Sequence, residues 1–245
     1  MKTTLTVRIV LLTAAAIAAV AGISFGQVSL KVGGGVGYAI PSSDFAGTSA
    51  EYYAGTNYGL AGGLNFHAKV RVGLVGFNLT GEAAYSSFSN DGVVELPNGS
   101  LETKKQILAV KVGPEFQMSV PALPITPYLG LNVALNMFSG SDAFKGLSSV
   151  PSSTQDLKST SRIGAGGTAG VLLGLGGLNL DVAFHYNIHN LTGASWEGAD
   201  NRIDTYTALN DDKDPAYALS NTKHVVAEAR SIHSMVLSVS VMFGF

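Results

Sequence analysis

From Gln27 onward the chain repeats one pattern eight times, placing apolar side chains on every second position over runs of about 10 to 14 residues. The first run carries Val28, Leu30, Val32, Val36, Tyr38 and Ile40, and the second Tyr58, Leu60, Leu64, Phe66 and Val70. The third carries Val75, Phe77, Leu79 and Tyr85, and the fourth Leu108, Val110, Val112, Phe116 and Met118. Further runs begin at Leu129, Ile163 and Leu178, and the last is Met235, Leu237, Val239, Val241, Phe243 and Phe245. A period of two puts each set on one face of a β-strand, so the chain is all-β.

The connections alternate as regularly as the side chains. Short turns fall near 71–74, 120–126 and 174–177, whereas long polar loops fall near 41–56, 87–103, 139–161 and 190–223. Short turns on one rim and long loops on the other describe an up-and-down meander inserted from one side of a membrane.

The second face of each strand decides which side meets lipid. It is built mostly of Gly, Ala, Ser and Asn, and only 13% of the chain is charged, about half the usual globular share. That face is too sparse in charge for a solvated surface but suits a narrow lumen, which turns the apolar face to hydrocarbon. Lipid leaves an open sheet edge unsatisfied at a cost of several kcal/mol, so the eighth strand is expected to pair with the first. The fold predicted is an eight-stranded antiparallel up-and-down transmembrane β-barrel over 27–245, with Phe243 and Phe245 at the periplasmic interface.

Lys2 and Arg8, an apolar stretch and the small residues Ser24 and Gly26 form the three regions of a secretory signal peptide, expected over 1–26. The apolar core of about 15 residues is short for an uncleaved anchor helix. Cleavage takes Lys+Arg from 15 to 13 against 17 acids, leaving a net charge of −4, and that weak, scattered acidity offers no footprint for nucleic acid. Cysteine is absent, so neither disulfides nor thiol chemistry is available.

The stretches TPYLGLNVAL and GGLNLDVAFHYNI, the leader, and the alternating C-terminal strand ending on Phe together resemble the bacterial outer-membrane β-barrel domain family, which includes small OmpA-, OmpX- and OmpW-like barrels. The resemblance covers essentially 27–245. It implies residence in the bacterial outer membrane, with outer-membrane lipid and lipopolysaccharide around the barrel. It also implies recognition by the barrel assembly machinery through Val239, Val241, Phe243 and Phe245.

Six charges fall in the lumen register: Lys69, Glu82, Lys111, Glu115, Arg162 and Asp181. Glu82 and Lys111 are at similar depth on adjacent strands and are expected to pair. An eight-stranded interior is only just wide enough for side chains, so these charges read as a structural network inside a filled barrel. His185 and His189 share a face but are separated by roughly 13 Å along a strand, too far for one metal ion. With His67 they read as hydrogen-bonded lumen residues, and neither metal nor cofactor is expected.

Among outer-membrane barrels, the lipid A deacylases pair a His with a Ser two positions later. The residues at that spacing here are Asn187 and Leu191, so the nucleophile is missing and no enzyme is expected. Tyr52, Tyr53, Trp196 and Tyr206 sit on long loops as candidate contacts for an extracellular ligand. The DDKD stretch at 211–214 reads as a solvated loop. The expected role is a structural or surface-interaction protein. An OmpW-like channel for small hydrophobic molecules competes with it, and Pro114 marks the candidate break for a side exit. At the outer mouth, an apolar and hollow lumen favours the channel, whereas a polar and plugged one favours the scaffold.

Overall fold

The computed structural model describes residues 29–74, 77–95, 98–118, 124–148, 150–197, 207–215 and 228–244. The leader, Val75, Tyr206 and Phe245 lie outside the described residues. Its strands are β1 (Ser29–Ser42), β2 (Gly63–Leu74), β3 (Phe77–Glu95), β4 (Gly99–Gln117), β5 (Ile125–Lys145), β6 (Ser153–Asp156), β7 (Thr160–Gly174), β8 (Leu178–Thr192) and β9 (His233–Gly244). One short helix, α1 (Ser49–Ala54), follows a 3-10 turn (Ser43–Phe45) between β1 and β2.

Every strand pairs antiparallel with its neighbours, β4 pairs β5, and β9 pairs β1, so the sheet closes on itself. Eight staves make the barrel. The ninth, β6, continues the line of β7, because both pair the same strand: β7 meets 125–138 of β5 and β6 meets 141–144.

Glycine makes the closing seam. Gly33, Gly35 and Gly37 alternate along β1, and a Cβ on them would come within 2.2 Å of Val241 O, 2.2 Å of Val239 O and 2.6 Å of Leu237 O respectively. The absence of a side chain is what lets β9 dock so closely.

The apolar face is turned outward. Val36, Leu64, Leu131 and Leu237 are 57%, 60%, 67% and 56% exposed, values that only an apolar solvent makes favourable. Tyr38, Tyr85 and Tyr186 lie toward the outer end of this band and Phe77, Phe116 and Phe243 toward the inner end, as interfacial aromatics do.

The outer edge of the band is legible in the register. Tyr85, Leu108 and Met137 stand side by side and face outward, and one step higher on that face stand Ser87, Gln106 and Ser139. At this level the alternation inverts its phase. Below it the apolar residues point out, whereas above it Phe88, Leu101, Ile107, Phe138 and Phe144 point in and are at most 1% exposed. Strands β3, β4 and β5 therefore continue into water as a sheet whose inner face carries these apolar side chains around the buried polar group Thr103, Lys105 and Asp142. This corrects the loops expected over 87–103 and 139–161, most of which are strand. The turn expected at 71–74 is likewise strand, since β2 runs to Leu74.

Candidate functional site

The lumen is filled at two levels. In the lower half, β2 supplies Lys69 and Arg71, β4 Glu115, β5 Tyr128 and β8 Asp181. Arg71 places Nε 2.6 Å from Glu115 Oε1 and donates from Nη2 to Glu115 Oε2 at 2.7 Å and Asp181 Oδ2 at 3.2 Å. Tyr128 donates its hydroxyl to Asp181 Oδ1 at 2.6 Å, while its ring lies 5.0 Å from Lys69 Nζ and 4.9 Å from the Arg71 guanidinium carbon. Lys69 Nζ reaches Asp181 at 3.5 Å and Glu115 at 3.7 Å. Two cations and two carboxylates thus cancel inside the wall. Beside them Lys111 Nζ lies 3.0 Å from Glu82 Oε1.

Above the ion pairs, β9 offers a column of serines to three histidines. His67 Nε2 lies 2.7 Å from Ser240 Oγ, His185 Nε2 3.1 Å from Ser238 Oγ and His189 Nε2 2.7 Å from Ser234 Oγ. The second ring nitrogens meet Asn65, Thr168 and Asn136. These pairs sit inside the barrel wall, away from the lipid face. Sequence spacing hides them because the serines come from another strand.

The outer mouth is closed by apolar packing. Phe45, Tyr58 and Leu60 from the first loop pack with Phe88, Leu101, Phe138 and Phe144 of the projecting strands. Helix α1 lies in this mouth. Thr48 accepts from Glu51 N at 3.3 Å while Glu51 Oε2 accepts from Thr48 N at 2.7 Å, a reciprocal capping box, and Gly55 ends the helix at φ 80°. Tyr52 then donates to Asp142 Oδ2 at 2.8 Å and Tyr53 to Glu95 Oε1 at 2.6 Å. Both rings are buried, 3% and 7% exposed, so they hold the cap in place rather than face an outside ligand. Burial pushes the phenols of Tyr52 and Tyr58 well above the ordinary tyrosine range, with the carboxylate of Asp142 adding to the effect at Tyr52.

Arg162 stands apart from the lumen network. It latches the last loop, donating from Nε to Asp211 Oδ2 at 3.0 Å and from Nη2 to Asp211 Oδ1 at 2.7 Å, Ser195 Oγ at 2.8 Å and Leu209 O at 3.3 Å. Asp211 is 2% exposed, which corrects the reading of its acidic stretch as solvated throughout. Trp196 is half-buried next to this latch. Val239, Val241 and Phe243 face lipid on β9. At Pro114 the β4–β5 pairing skips Gly113 and Pro114 and resumes at Glu115 opposite Gly130 in the same register, while both residues stay paired to β3, so the wall does not open there. Sequence reasoning missed Arg71, Lys105, Asp142 and Asp211. Arg71 was within reach, lying two residues beyond Lys69 in the same register.

A family described as "Outer membrane protein beta-barrel domain" matches residues 8–210. Among solved structures the chain is similar to neisserial surface protein A, at 16% identity and a TM-score of 0.52, with 89% of this chain and 99% of that one covered. It is also similar to Ail, the attachment invasion locus protein of Yersinia pestis, solved with the heparin analogue sucrose octasulfate (11% identity, TM-score 0.44, covering 89% of this chain and 99% of that chain). A major outer membrane protein from Thermus thermophilus is similar at 13% identity, with a TM-score of 0.47 and coverage of 89% and 100%. No curated protein matches the sequence. The likeness to neisserial surface protein A bears on the fold, a closed barrel of eight antiparallel staves. With its apolar outer band and its match over most of the chain, the protein resides in the bacterial outer membrane, and it belongs to the outer membrane protein β-barrel domain family.

Proposed function

We propose that the protein is a surface-interaction barrel without catalytic activity, in which the parts of the chain above the lipid present the contact surface. The observation that carries this reading is the double filling of the lumen, by ion pairs below and apolar packing above. A buried pair with its hydrogen bonds satisfied is an obstacle to ions, and a packed aromatic mouth is an obstacle to water. What is left to meet a partner is the projecting β3–β4 hairpin, where Val93 is 61% exposed, together with the outer face of β4 and β5. Val239, Val241, Phe243 and Phe245 serve as the assembly signal, the leader over 1–26 is removed, and lipopolysaccharide is the surrounding outer-leaflet lipid.

The OmpW-like channel is favoured by one observation, the apolar character of the mouth. The mouth is apolar yet filled, and the expected criterion joined apolar to hollow. Conductance across planar bilayers and uptake of a small apolar solute into proteoliposomes separate the two readings. The refolded barrel should show neither; sustained conductance or saturable uptake would establish a conduit. Turnover of outer-membrane lipid that disappears in His185→Ala would overturn the absence of catalysis.

A further inference from the structure

The described residues contain one buried cation whose charge no carboxylate meets. Arg230 is 5% exposed, its guanidinium lies 3.8 Å from the centre of the Tyr58 ring, and its Nε and Nη2 donate to the backbone carbonyl of Asn210 at 3.3 and 3.1 Å. Its Nη1 has no acceptor. Asn210 is wholly buried; its Oδ1 accepts from Glu197 N at 2.9 Å, and its Nδ2 also has no acceptor.

Among the described residues no acid forms an ion pair with Arg230. Asp211 is bound by Arg162, Asn190 and the Ser195 N–H, and Asp44 Oδ2 accepts from Ser231 N. A trapped water would satisfy the amide but leave the positive charge unbalanced, and an unbalanced buried charge is the costlier fault. A guanidinium edge and a carboxamide N–H together donate to the two oxygens of one oxyanion. The aromatic face beneath the guanidinium fixes its plane, so the donor edge is held in advance of any ligand.

We propose that Arg230 and Asn210 form an oxyanion-binding site in the extracellular cap, taking a carboxylate or a phosphate group in contact with Arg230 Nη1 and Asn210 Nδ2. The site is independent of whether the lumen conducts.

The chain supplies its own reporter, because Trp196, the single tryptophan, directly precedes Glu197, whose N–H holds Asn210. The folded full-length barrel is titrated with sodium acetate and, separately, inorganic phosphate at constant ionic strength, against chloride, while Trp196 fluorescence is followed. A saturable change with either probe is expected, and the responding probe assigns carboxylate or phosphate as the group taken. Arg230→Gln should weaken it at least tenfold. Because that variant also disturbs the cap, Asn210→Asp is the second test: it replaces the unpartnered N–H donor with a carboxylate oxygen that repels an anion, keeps the acceptor for Glu197 N, and should abolish the response while the cap stays protease-resistant. No saturable response with either probe, or unaltered binding in Asn210→Asp, overturns the site and leaves the conductance result untouched.

Discussion

Lys105 Nζ lies 2.7 Å from Asp142 Oδ1 and 2.8 Å from Oδ2, and both side chains are sealed from solvent at a level where the barrel has already left the lipid. Tyr52 and Thr103 donate to the same carboxylate, so a single acid ties α1, β4 and β5 together. Asp142→Ala removes the anion and strands the cation, a change that costs about 3–5 kcal/mol in buried pairs. The expected outcome is a cap cut rapidly by protease above an intact barrel. Resistance equal to the parent would show that the pair does not hold the cap.

Asp181 plays the matching part lower down, where it accepts from Tyr128, Arg71 and Lys69. Asp181→Asn leaves the lumen with one excess positive charge. Unfolding in urea should begin at a lower concentration than in the parent, and Lys69→Met in the same chain should recover much of the loss by restoring the balance. A double variant weaker than Asp181→Asn alone would argue against charge balance as the cause.

The seam makes a steric prediction. Gly35→Ala drives a Cβ to 2.2 Å from Val239 O, whereas Gly167→Ala, on the lipid face, meets nothing closer than 3.9 Å. Folding yield, read from the altered gel migration of the closed barrel, should collapse in the first and stay near parental in the second.

The cap should also answer to alkali. The phenols of Tyr52 and Tyr58 are raised by burial, so the folded cap keeps them protonated where an opened cap ionises them near pH 10. Their contribution is complete below about pH 10 and is lost as the pH rises further. Protease sensitivity of the cap should climb between about pH 10 and 12. Tyr52→Phe combined with Tyr58→Phe should flatten that rise, and an unchanged rise would assign it to other groups.

Much of the fold was legible because lipid enforces a simple rule: the outward residue is apolar at every second position, as from Val236's neighbour Leu237 to Phe243. Above the lipid the rule reverses, and a reader tracking one phase sees alternation vanish at Ser87 and takes the rest for loop. Phe88 and Leu101 carry the same period in the other phase. Arg71 was lost because the stretch 71–74, with Gly73 in it, reads as a turn, yet at Arg71 the strand is still inside the wall. Tyr52 and Tyr53 looked exposed because their loop is polar overall; the Thr48 to Glu51 spacing was the available sign of a helix, and a helix gives such rings a face to bury. The partners of Arg162 and Arg230 come from a loop whose path no local pattern encodes.

The projecting hairpin has a mechanical consequence. From Ser87 to Glu95, β3 runs roughly 30 Å beyond the lipid at about 3.3 Å per residue, and β4 and β5 run beside it in unbroken register from Ser100 opposite Lys145 down to Val112 opposite Val133. A partner gripping the tip and pulling away from the cell loads that ladder along the strands. The rungs share such a shearing force, whereas a force applied across the sheet would open them one at a time. Under such a load the tall side of the barrel would bear the tension, and the glycine seam lies on the opposite wall.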